Sequence, residues 1–156
     1  MRVLCVCLGN ICRSPTAEGV LRDLAAREAP GLRIEVDSAG TAGYHIGAAP
    51  DPRSRRAALA RGIDIGALRA RQVVPEDFRR FDFLLAMDAA NLRDLRAVAP
   101  AGASAQLRLL MDYAPQSGRL EVPDPYYGDE RDFELVLDLV QTAARGFLAS
   151  LPAAGR

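Results

Sequence analysis

The tightest constraint on the fold lies in the first fifteen residues. An apolar run, Arg2 to Cys7, leads straight into a Gly9-Asn10 turn, and Ser14-Pro15 then opens a helix. A short apolar run bounded by turn residues reads as a buried strand. Ser14 has the chemistry of an N-cap, Pro15 suits the first helical position, and Glu18 follows in the first turn. Ala17, Val20, Leu21, Leu24 and Ala25 share one helical face as far as about Ala29, where Pro30-Gly31 stops the helix.

The alternation continues along the chain. Leu32 to Ala39 reads as a second strand, and Gly40 to Pro52 as an irregular loop. A helix from Asp51-Pro52 to about Gly62 follows, then an extended Ala70 to Val74 and a short turn at Pro75-Glu76-Asp77. Phe81 to Met87 reads as a third strand, with Asp88 capping a helix to about Val98; Leu107 to Met111 is the fourth. A long loop, Asp112 to Asp132, leads to an amphipathic helix from Phe133 to Leu151. Strands alternating with helices imply a parallel sheet. The expected fold is therefore α/β: one three-layer domain over residues 1–156, with a four-stranded parallel sheet, helices on both faces and a ligand-binding loop after the first strand. Ligands of such sheets sit beyond the carboxyl ends of the strands, which places the site between Cys7 and Ser14.

Composition removes several chemistries. All 20 basic residues are arginine, so a Schiff base and a lysine-bearing nucleotide loop are both ruled out. The single histidine, His45, excludes a multi-histidine zinc site. The net charge is +0, so no basic excess points to nucleic acid or an anionic membrane. No apolar run approaches the roughly 20 residues of a membrane span, and the N-terminus has no cleavage-site pattern, so a cytoplasmic protein is expected. The three cysteines, Cys5, Cys7 and Cys12, cluster at one end, which suggests a local thiol site rather than a disulfide scaffold.

The segment Cys7-Leu8-Gly9-Asn10-Ile11-Cys12-Arg13-Ser14 joins a strand to a helix N-terminus. Inward-facing amides and the positive end of the helix dipole suit an oxyanion. Gly9 and Asn10 tolerate the left-handed backbone that folds such a loop. Arg13 adds a planar, permanently charged fork for phosphate oxygens. These groups and the Ser14 hydroxyl would favour a thiolate at Cys7, able to attack phosphorus with no metal and no cofactor. Asp124, between Pro123 and Pro125, is the candidate acid and base, and Tyr126 and Tyr127 would wall a slot for an aromatic ring.

Cys-x5-Arg-Ser at the N-terminus, Asp-Pro-Arg at 51–53, Ala-Met-Asp at 86–88 and Asp-Pro-Tyr-Tyr-Gly at 124–128 together closely resemble the low-molecular-weight protein tyrosine phosphatases. The resemblance runs from Val3 to about Leu148. It implies a nucleophile at Cys7, a phosphate-binding arginine at Arg13, a general acid at Asp124 and a thiolate-stabilising hydroxyl at Ser14. It further implies an Asn10–Ser38 pair supporting the loop, slot walls at Tyr44, Tyr126 and Tyr127, and a protective Cys7–Cys12 disulfide. The implied partner is a tyrosine-phosphorylated protein, the implied state a monomer with weak dimerisation. Two positions depart from the family: Tyr44 stands where many relatives carry tryptophan, and Leu68 where many bacterial relatives carry histidine.

Simpler readings apply elsewhere. Cys5 reads as core, His45 as a surface-loop residue, Asp51 as a helix cap, and Arg53, Arg55, Arg56 and Arg61 as a solvated helix face. Three other functions compete. A phosphoarginine phosphatase of this scaffold would typically carry threonine where Ile11 stands. A thioredoxin-coupled arsenate reductase would need cysteines late in the chain, and none follows Cys12. A silent phosphate-binding module would not need Cys7, Arg13 and Asp124 together.

Overall fold

The computed structural model describes residues 1–152; the last four residues of the expected 1–156 domain lie outside the described residues. Its frame is a four-stranded parallel sheet in the order β2-β1-β3-β4, formed by β1 (Arg2–Cys7), β2 (Glu35–Gly40), β3 (Phe83–Ala86) and β4 (Gln106–Leu109). β1 is central and buried from Val3 onward, which is why it reads as an unbroken apolar run. Successive side chains point to opposite faces. Val3, Cys5 and Cys7 enter the larger core, with Leu21 and Leu24 of α1 (Arg13–Glu28) and Val140 and Phe147 of α5 (Glu130–Ser150). Leu4 and Val6 enter a smaller core with Phe78 of α3 (Asp77–Arg80) and Leu95 of α4 (Ala89–Val98). The short α2 (Pro52–Leu59) packs on the α1/α5 side. These are the three layers expected.

The differences have local causes. β2 starts at Glu35 rather than Leu32, because pairing begins where Arg2 meets Glu35 and β1 offers nothing before it. β3 is likewise limited to Phe83–Ala86, the residues that find partners on both sides. Residues 70–74 form only an isolated bridge, Gln72 with Gly40, rather than a strand. Beyond Leu109 the chain tightens into a 3₁₀ turn, Leu110–Tyr113, so the fourth strand ends two residues early. α5 starts earlier than its apolar pattern, because Asp129 and Asp132 form a reciprocal cap: Arg131 N donates to Asp129 Oδ1 at 3.0 Å and Asp129 N to Asp132 Oδ2 at 2.8 Å.

At the start of α1 the expected cap is absent. The helix begins at Arg13, with Cys12 in the cap position and no side-chain cap. Ser14 lies inside the helix and Glu18 beyond its first turn. The uncapped amides face the end of β1, where they remain available to a ligand. No helix among the described residues is long and apolar enough to cross a membrane.

Candidate active site

β1 delivers Cys7 to the carboxyl end of the sheet, and residues 8–12 wrap around its sulfur before α1 begins. Asn10 has φ 58°, a left-handed backbone that among the described residues no other non-glycine adopts. It is held there by four contacts. Its backbone N donates to Cys7 Sγ at 3.3 Å, and its Nδ2 donates to Ser14 Oγ at 2.7 Å and to Ser38 Oγ at 3.0 Å. Its Oδ1 accepts from Arg71 N at 3.0 Å. The Asn10–Ser38 contact expected from the sequence is thus present. Gly9 plays a different part from the one expected: a Cβ there would come within 2.9 Å of His45 Cδ2, so its lack of a side chain gives the His45 ring room beside the loop.

The hydroxyl directions in this network follow from donor counting. Glu18, only 3% exposed, accepts from Ser38 Oγ at 2.7 Å. With its proton committed to Glu18, Ser38 accepts from Asn10. Asn10 spends its other amide hydrogen on Ser14. Ser14 keeps its own hydrogen for Cys7 Sγ at 3.0 Å, with the Ala39 carbonyl the more distant alternative at 3.4 Å. The buried carboxylate therefore orients a chain that ends on the sulfur. Burial raises the Glu18 pKa, while Ser38 and Arg22 oppose that shift. Arg22 Nη2 closes the chain outward, 2.6 Å from Glu18 Oε2. Sequence reasoning placed Glu18 near the helix start and missed this role; its spacing from Ser14, one helical turn, was the available signal.

Arg13 is also buried, at 3% exposure. Its Nη1 donates to Asp88 Oδ2 at 2.6 Å and to the Val122 carbonyl at 3.0 Å. Burial works against the charge on Arg13, but the Cys7 sulfur and Asp88 outweigh it and raise the pKa. Asp88 serves two elements, because its Oδ1 accepts from Asn91 N at 2.7 Å and caps α4. The sequence shows the cap; the hold on Arg13 needs the fold. Val122 is anchored in turn, its N donating to the Met87 carbonyl at 2.8 Å. Two residues on, Asp124 Oδ2 lies 3.8 Å from Arg13 Nη2, and Asp124 Oδ1 accepts from Tyr126 N at 3.1 Å.

These residues enclose a cleft of about 360 Å³ with Cys7, Cys12 and Arg13 on its floor side and Leu8, Ile11, Tyr44, Asp124, Tyr126 and Tyr127 around it. Tyr127, 97% exposed, and Tyr44, 75% exposed, stand at the outer rim. His45 also lines the cleft, so it is more than a surface-loop residue. Cys12 is buried, and burial pushes its thiol up to about 12, with Ser54 opposing the shift. Cys5 is fully buried in the core, as expected.

Similarity to known proteins agrees with this geometry. Residues 2–155 match the family model for low molecular weight phosphotyrosine protein phosphatase. YfkJ of Bacillus subtilis, a low molecular weight protein-tyrosine-phosphatase, is 43% identical over 149 residues, covering 96% of this chain and 94% of its own. Its crystal structure superposes with a TM-score of 0.88. A protein tyrosine phosphatase of Entamoeba histolytica, with Hepes in its active site, gives a TM-score of 0.91 at 37% identity, covering 96% and 95% of the two chains. The Drosophila arginine phosphatase is more distant in sequence, at 29% identity, with a TM-score of 0.89 and 96% of both chains covered. Family model, sequence relatives and folds converge: the chain belongs to the low molecular weight phosphotyrosine protein phosphatase family.

Proposed function

We propose that this chain is a protein-tyrosine-phosphatase acting on phosphotyrosine in proteins, with Cys7 as nucleophile, Arg13 as phosphate clamp and Asp124 as general acid and base. The observation that carries this reading is the convergence on one sulfur. Cys7 Sγ accepts from Asn10 N and faces the Ser14 hydroxyl at 3.0 Å, beside the buried Arg13 and across from Asp124. The thiolate, not the thiol, is the nucleophile in such chemistry.

In the first step the Cys7 thiolate attacks phosphorus, the phosphorus–oxygen ester bond breaks, and Asp124 gives its proton to the departing phenolate oxygen. In the second, the Asp124 carboxylate takes a proton from water, the water oxygen attacks phosphorus, and the sulfur–phosphorus bond breaks to free phosphate and the thiolate. Arg13 and the uncapped amides of α1 balance the charge on the three non-bridging oxygens throughout. Turnover of p-nitrophenyl phosphate and of a phosphotyrosine peptide tests the reading. No turnover of either, by a folded protein that binds phosphate, would sink it.

Selectivity rests on Ile11. Its aliphatic side chain lines the cleft and offers a guanidinium no hydrogen bond, so phosphoarginine would leave a donor unpaired at a cost of about 1–3 kcal/mol. Wild type should prefer phosphotyrosine over phosphoserine and phosphoarginine peptides. Ile11→Thr should gain relative kcat/KM on phosphoarginine by roughly one to two decades. A wild type that prefers phosphoarginine would replace the aryl substrate by the one named for the Drosophila neighbour, with the same Cys7 chemistry.

The reading extends to redox behaviour. Cys7 and Cys12 are both free thiols and line the same cleft. Peroxide should convert Cys7 to a sulfenic acid, which condenses with the Cys12 thiol to a disulfide and releases water. A dithiol should then restore activity in wild type. The Cys12→Ser variant should lose activity irreversibly at the same dose. Equal recovery of the two proteins would remove Cys12 from this role.

A further inference from the structure

Arg53, read from the sequence as part of a solvated arginine face, is held on three sides. Asp51 grips it edge-on, with Arg53 Nε donating to Asp51 Oδ1 at 3.0 Å and Arg53 Nη2 to Asp51 Oδ2 at 2.9 Å. Its Cζ lies 4.6 Å from the centroid of the Phe133 ring and 5.4 Å from that of Tyr126. Asp51 is itself fixed: it is 9% exposed, caps α2, and its backbone N donates to the Ile11 carbonyl at 2.8 Å. The Arg53 hydrogen bonds hold the Asp51 carboxyl below its ordinary range, so the pair stays charged. A rigid path thus runs from the phosphate-binding loop through Asp51 and Arg53 to the Tyr126 ring. That ring also meets Tyr127 edge-on at 5.0 Å, and Tyr127 is almost wholly solvated and gives little support.

We infer that Arg53 is a specificity-determining positioning residue: clamped by Asp51 and stacked on Phe133, its guanidinium plane holds Tyr126 in place as the wall against which an aryl ring packs. It would thereby favour aryl over alkyl phosphates without touching the phosphate. The inference rests on the proposed function, in which the ring of the substrate enters this cleft. A planar cation suits the task, since it stacks on a ring while its edge is hydrogen-bonded, which an ammonium does not do.

The test uses non-hydrolysable anions, so that binding is read apart from turnover. Competitive inhibition constants are measured for phenylphosphonate, methylphosphonate and inorganic phosphate. Arg53→Leu should weaken phenylphosphonate roughly 3–10-fold and leave the other two nearly unchanged. Arg53→Lys should behave like Arg53→Leu, because it keeps the charge and loses the plane. In a Tyr126→Ala background Arg53→Leu should add nothing further, since a residue that acts through Tyr126 has no effect once the ring is gone. Equal weakening of all three anions, full rescue by lysine, or additive effects of the two substitutions would each overturn the inference. Should Arg53→Leu fail to fold, Arg53→Lys and its combination with Tyr126→Ala decide the matter by the same coupling. A wild type that binds phenylphosphonate no better than methylphosphonate would sink the aryl-substrate reading, and the inference with it. A wild type that discriminates while the substitutions stay additive would sink the inference alone.

Discussion

Replacing Cys7 by serine should leave a folded protein that binds phosphate and does not hydrolyse its esters. The change swaps sulfur for oxygen at a position where Asn10 N and Ser14 Oγ converge. The network that shapes the loop, from Glu18 through Ser38 and Asn10 to Ser14, does not pass through the sulfur and should survive. An alcohol, however, is not appreciably ionised near neutral pH, and the thiolate is the nucleophile. Removal of a nucleophile typically costs at least roughly 10⁴-fold in kcat. Titration calorimetry with inorganic phosphate, alongside kcat on p-nitrophenyl phosphate, separates binding from chemistry. Near wild-type kcat in Cys7→Ser would displace Cys7 from the mechanism.

The second large effect is expected at Asp124, and its size should depend on the leaving group. Asn at 124 keeps an acceptor for Tyr126 N and removes the exchangeable proton. A phenolate of high basicity needs that proton as the ester bond breaks, whereas p-nitrophenolate leaves largely unaided. Loss of a general acid costs roughly 10²–10⁴-fold. The full loss should therefore appear with phosphotyrosine or phenyl phosphate, and much less with p-nitrophenyl phosphate. A plot of log kcat against leaving-group basicity should be near flat in wild type and steep in Asp124→Asn. Parallel lines would give Asp124 a structural part only, through its bond to the Tyr126 backbone.

The local elements were written in local patterns. A continuous apolar β1, a Gly-Asn turn and the aspartates at 51 and 88 each announce a strand, a turn or a helix start, and each is found in place. Strand ends were not legible in the same way. β2 and β3 stop where a neighbour stops, and that is a property of pairing rather than of either segment. The Ser14 misreading has a similar origin. A serine before a proline suits a cap, yet here a second demand, from Cys7 and Asn10, takes the hydroxyl.

For the site, the sequence by itself brought together the groups proposed to react. Cys7, Arg13 and Ser14 lie in one short strand-to-helix segment, and neither lysine, a histidine cluster nor a late cysteine offers another chemistry. The tertiary structure alone decided how those groups are held. Glu18 reaches Ser38 across 20 residues, Asp88 grips Arg13 across 75, and Val122 does so across 109. Arg53 looks like one more arginine on an exposed helix until Tyr126 and Phe133, far along the chain, are folded against it. Reactivity is a property of side-chain type and its immediate backbone, which short patterns record. Orientation comes from hydrogen bonds and ring contacts between distant segments, and those exist only after the sheet has brought the segments together.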